Sequence, residues 1–133
     1  MVLLILLVLA LFVLQTLLPG RFREPAAPGE PGSLAQRLGN RDHMRPFTLL
    51  GQRAARALAN MQEAMPVFLA VALLDMIVAP QAALAVTGAT IFLVARALYV
   101  AVYLAGIAVV RSLLWAASWV GLILMLMPLF DRI

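Results

Sequence analysis

Four stretches of the chain are apolar over lengths suited to crossing a bilayer, with polar residues confined to the connections and to short stripes on two of the stretches. Met1 to Leu18 (MVLLILLVLALFVLQTLL) is interrupted only by Gln15 and Thr16, and Pro19-Gly20 is expected to end it. The next helical pattern begins at Thr48, continues through VFLAVALLDMIVA and should stop before Pro80. A third run starts at Gln81 and a fourth ends at Phe130, with Gly106 the only punctuation between them. The expected spans are therefore residues 1–18, 48–79, 81–105 and 110–130, with a Pro- and Gly-rich loop over 19–47 that holds at most a short helical turn near Ser33 to Leu38. A crossing helix needs about 20 apolar residues for a core of roughly 30 Å, so the pattern predicts an all-α, integral membrane four-helix bundle in one domain.

Composition narrows the function classes. The chain of 133 residues is 65% hydrophobic and 12% charged, with a mean hydropathy of +1.03, which no ordinary soluble domain has. A cleaved signal peptide at the start would want a basic leader and a small-x-small site, and neither is present. With no cysteine there is no disulfide, no thiol nucleophile and no thiolate metal site. One histidine, His43, reads as a polar loop residue and cannot build a metal centre alone, so no metal is expected.

The net charge of +4 comes from ten arginines. They are not interleaved with stacking aromatics on one face, which argues against a nucleic-acid partner. Seven of them (Arg21, Arg23, Arg37, Arg41, Arg45, Arg53 and Arg56) lie in or beside the first loop, Arg111 lies on the same side, and Arg132 stands alone opposite. The positive-inside rule then places both loops in the cytoplasm and both termini on the other side.

The polar stripes carry the candidate chemistry. Arg53, Arg56, Asn60 and Glu63 fall on one narrow face of the second helix, and Arg96, Tyr99, Tyr103 and Gly106 repeat the same offsets on the third. Counted at 1.5 Å per residue, Glu63 and Arg96 come level deep in the membrane and are expected to pair, while Arg56 and Tyr103 come level near the interface, close to Arg111. Unpaired, Glu63 and Arg96 would together cost on the order of 5 kcal/mol. Two readings stay open: a shared ligand site, or helix-to-helix glue by Asn60, Glu63 and Arg96 with the remaining arginines and Tyr103 snorkelling or anchoring at the interface.

Other features have plainer readings. Trp115 and Trp119 are interfacial anchors or packing, Met125 and Met127 are lipid-facing or core filler, and Asp75 is a solvated helix end. Pro66 should kink the second helix, and Ala101, Ala105, Ala117 and Gly121 allow close helix approach.

These residues resemble the MAPEG family, the membrane-associated proteins of eicosanoid and glutathione metabolism, over nearly the whole chain. The family pattern R-x-x-x-N-x-x-E-x-x-P is met by Arg56, Asn60, Glu63 and Pro66, and R-x-x-Y-x-x-x-Y by Arg96, Tyr99 and Tyr103. The segment YLAGIAVVRSLLWAASW, with Gly106, Arg111 and Trp115, looks most like bacterial members. Ala64 departs from the family by standing where some glutathione-using relatives carry tyrosine.

The resemblance implies a homotrimer in a bacterial cytoplasmic membrane, with glutathione bound between subunits as co-substrate. It implies that Arg56, Asn60, Glu63, Arg96, Tyr99 and Tyr103 hold the tripeptide, Arg53 extending the same stripe, and that Arg111 activates the thiol. The expected function is a glutathione-dependent transferase or peroxidase acting on hydrophobic electrophiles or lipid hydroperoxides that arrive from the bilayer. The alternative is a non-catalytic lipid-binding or scaffolding protein of the same fold.

Overall fold

The computed structural model describes residues 1–29, 38–40, 44–80 and 82–132, and consists of four long helices. They are α1 (Val2–Arg21), α2 (Leu49–Val78), α3 (Ala83–Ala105) and α4 (Ala108–Phe130), and each is long and apolar enough to cross a membrane. His43, Arg37, Arg41 and the expected turn over residues 33–37 lie outside the described residues. The α1–α2 loop and the α3–α4 turn share one end of the bundle, called here the loop end.

Local chemistry explains the boundaries. Pro19 does not end α1, contrary to expectation: the helix runs on to Arg21 with Pro19 buried inside it. Proline lacks only its own N–H, and the carbonyl of Pro19 still accepts from Phe22 N at 3.2 Å. Thr48 caps α2, its hydroxyl accepting from Gly51 N at 3.3 Å and donating to the Phe22 carbonyl at 3.0 Å, so the cap also fastens α2 to the end of α1. The helix then continues unbroken through Pro66. Gly106 divides α3 from α4 in the left-handed conformation, φ 81°, which costs a side-chain-bearing residue about 1–2 kcal/mol.

Packing of α2 follows one seam. Ala54, Ala57, Met61, Ala64, Phe68, Val71 and Asp75 alternate at spacings of three and four and are all buried. Phe68 stacks on Phe92 of α3 with ring centroids 4.5 Å apart, and Val8, Leu122 and Met125 close the core around them. Asp75 is a correction to the sequence reading. It is 1% exposed rather than solvated, because the seam carries it inward, and neither carboxylate oxygen has a hydrogen-bond partner.

The tightest helix contact is between α3 and α4. A Cβ added at Gly88 would lie 2.5 Å from the Gly121 carbonyl oxygen, and one at Gly121 would lie 2.6 Å from the Gly88 carbonyl oxygen. Gly121 was anticipated as a close-approach residue, whereas Ala101 and Ala105 are exposed and take no part in the core. Outside this core every helix presents large apolar side chains, among them Leu3, Leu14, Leu73, Ile77, Val94, Leu113 and Ile123, as hydrocarbon requires. The chain is an integral membrane protein.

Candidate functional site

Five of the candidate residues form a connected polar track at the loop-end half of the bundle. Arg96, 2% exposed, projects from α3 and donates from Nη1 to the Asn60 side-chain oxygen on α2 at 2.5 Å. Its guanidinium carbon lies 5.3 Å from the Phe92 ring centre and 5.7 Å from that of Tyr99, both within cation–π range. Tyr99 meets Tyr103 edge to face at 5.4 Å, and the Arg111 guanidinium carbon of α4 sits 5.0 Å from the Tyr103 ring centre. One turn separates Arg96 from Tyr99 and another separates Tyr99 from Tyr103, so α3 alone orders three of the five.

The expected Glu63–Arg96 pair is not made. Glu63 is exposed, and no hydrogen bond or ion pair joins it to Arg96 among the described residues. The reason is register. Arg53 donates from Nη1 to the Leu104 carbonyl at 2.9 Å, and Asn60 meets Arg96, so α2 and α3 are offset from the sequence-based alignment by about two to three residues. Glu63 therefore lies roughly one turn, about 5 Å, beyond Arg96 along the bundle. Asn60 takes its place.

Arg53 has a definite task at the loop end. Its guanidinium bonds one of the last carbonyls of α3, which no helical N–H can reach, and its head packs against Gly106. Arg56, by contrast, is exposed on α2 and does not line the recess beside Tyr103 and Arg111 described below.

A recess of about 280 Å³ opens where α3 and α4 meet, lined by Tyr99, Tyr103, Arg111, Ser112 and Trp115. Two of these, Ser112 and Trp115, escaped the sequence reading as site residues. Their signal was present: Trp115 follows Arg111 by four residues and Ser112 by three, so each of the two is one helical turn from Trp115. Trp115 is exposed and stands edge to face with Trp119 at 5.9 Å. A second, apolar groove of about 310 Å³ lies deeper on the α3–α4 surface, lined by Ile91, Val94, Leu98, Leu114 and Ala117 among others. No group of His, Asp or Glu suited to a metal ion occurs among the described residues.

A family model for the MAPEG family matches residues 1–130. The chain belongs to the MAPEG family. No curated protein and no solved structure matches it. For this MAPEG protein the family match covers all four helices, and membership makes it a membrane protein of the glutathione and eicosanoid metabolism kind.

Proposed function

We propose that this MAPEG protein is a membrane-bound glutathione-dependent transferase or peroxidase whose substrates are hydrophobic electrophiles or lipid hydroperoxides. The observation that carries the reading is the placement of Arg111: a guanidinium on the wall of a recess, over the Tyr103 ring and joined to no carboxylate among the described residues. A thiol is the weak, mostly protonated form near neutral pH, and each tenfold gain in thiolate corresponds to about 1.4 kcal/mol of stabilisation, within reach of a nearby guanidinium in a low-dielectric site.

The thiolate sulfur would form a C–S bond with an electrophilic carbon, the displaced electron pair leaving with its group or opening a strained ring. With a hydroperoxide, the O–O bond breaks, the substrate leaves as its alcohol, and two glutathiones end as the disulfide with release of water. Arg56 suits a carboxylate of the tripeptide by bidentate pairing, Arg96 adds positive charge from behind the recess wall, and Asn60, Tyr99 and Tyr103 offer neutral hydrogen-bonding groups.

A recess of about 280 Å³ is at the low end for a ligand of this size. Further wall is supplied in this reading by a second copy within a homotrimer. Supporting it, Glu63 is exposed midway along the membrane-spanning α2 of the single chain, where lipid contact would cost a charged residue about 2.5–3.5 kcal/mol, and Arg56 is exposed two turns nearer the loop end. Cross-linking in native membranes that captures only monomer would count against the shared site.

The test of the chemistry is the ultraviolet absorbance of thiolate on adding glutathione to purified protein, together with binding calorimetry. Arg111→Ala is expected to lower kcat about 10²- to 10³-fold while glutathione affinity changes little. Unchanged turnover removes Arg111 from its role. A complete lack of both thiolate signal and binding heat would instead favour the non-catalytic lipid-binding reading, for which the apolar groove beside Leu98 and Leu114 is the supporting feature.

A further inference from the structure

Gln15 is a buried polar group that the recess does not use. It is 3% exposed on α1, and neither its amide oxygen nor its amide nitrogen has a hydrogen-bond partner. Arg96 is also incompletely satisfied, because Nη1 goes to Asn60 while Nε and Nη2 have no partner. Those two nitrogens form one edge of the planar guanidinium, a fork of parallel N–H donors. Inside a membrane bundle, where bulk water is absent, such atoms are ordinarily partnered.

The two side chains lie at similar depths. The Phe22 carbonyl of α1 accepts from Thr48 N at 3.0 Å and lies against Gly51, so residue 22 is level with residues 48–51 of α2. Gln15 is seven residues back along α1, about 10 Å, and so comes level with roughly residues 55–58 of α2. α1 and α3 both run antiparallel to α2, and helical side chains lean toward the N-terminus of their own helix, here away from the loop end. Gln15 and Arg96 therefore lean the same way, toward the turn of α2 that carries Asn60. α1 packs mainly against α2 and also touches α3.

We propose that Gln15 is a positioning residue for Arg96, its amide oxygen facing the Nε–Nη2 edge through one shared buried water. That water accepts from the guanidinium and donates to Gln15, which meets the requirement for several polar partners. Asn60 holds one side of the guanidinium and Gln15 holds the other, so three helices fix the orientation of one charge.

The experiment uses the full chain in detergent and needs no ligand. Gln15→Met keeps length and shape but removes the amide; it is expected to lower Tm by about 3–6 °C. Gln15→Glu sets a carboxylate against the donor edge and is expected to restore or exceed the parent Tm. If Gln15 were only an idle buried amide, the signs would reverse: methionine would stabilise and a buried, unpaired glutamate would lower Tm the most. Either of those results overturns the proposal. A second readout rests on the glutathione reading: Gln15→Met should weaken glutathione binding about 3- to 10-fold, with recovery in Gln15→Glu. A protein that binds no glutathione would leave the thermal result standing, so the two ideas fail separately.

Discussion

Gly121→Ala tests how closely α3 and α4 are held. The added Cβ would lie 2.6 Å from the Gly88 carbonyl oxygen, 2.9 Å from Phe92 N and 3.3 Å from Phe92 Cα. All three are backbone atoms, so no side chain can swing aside, and ordinary contact begins near 3.4 Å. The helices must part by roughly 0.8 Å at this point, loosening the Phe92, Leu122 and Met125 packing on both sides; overpacking of this kind costs about 1–3 kcal/mol. Alanine recovers about 0.8–1 kcal/mol of intrinsic helix preference over glycine. The expected net loss is about 1 kcal/mol, a fall in Tm of roughly 3–6 °C for a chain of this length. Gly121→Val adds two more methyl groups without the full gain in helix preference and should lose about 3 kcal/mol or more. Thermal unfolding in detergent, followed by circular dichroism, reads both. A Gly121→Ala protein with a higher Tm than the parent would mean that helix preference dominates and that the α3–α4 contact is not close, which would refute the reasoning.

Two further substitutions probe the core and the turn. Asp75→Leu keeps the branched outline of the side chain and removes two buried oxygens that have no partner, so unfolding free energy should rise by about 1–3 kcal/mol; a lower Tm would show that Asp75 has a partner in the assembled protein. Gly106→Ala forces an L residue into φ 81° and places its Cβ 2.6 Å from the Arg53 guanidinium. It should cost about 1–2 kcal/mol, and Arg53→Ala in the same background should then cost less than it does in the parent, measured by a double-mutant cycle.

Much of the membrane architecture was legible along the chain because burial in lipid demands long uninterrupted apolar runs, and that demand is written residue by residue. The sequence alone determined four spans, their approximate ends and the arginine-rich character of the loop end; it marked Gly106 as punctuation, and the structure placed the break there. It also brought Arg96, Tyr99, Tyr103 and Arg111 into one neighbourhood, since three lie on one helix face and the fourth begins the next helix. The inward position of Asp75 was available too, in the alternation of three and four from Ala54 to Asp75, but a charge near a helix end invites the solvated reading.

What only the tertiary structure decided was relative sliding. Helical periodicity specifies which residues share a face; it says nothing of how far one helix is displaced along its neighbour. That displacement is set by contacts distant in sequence, here the Thr48 cap on Phe22, the hold of Arg53 on Leu104 and the Gly88–Gly121 approach. A shift of about two to three residues on α2 exchanged Glu63 for Asn60 as the partner of Arg96 and left Glu63 on the outer surface of the single chain. Ser112, Trp115 and Gln15 gained their meaning in the same way, because a side chain becomes part of a site only when packing brings another helix to the same height.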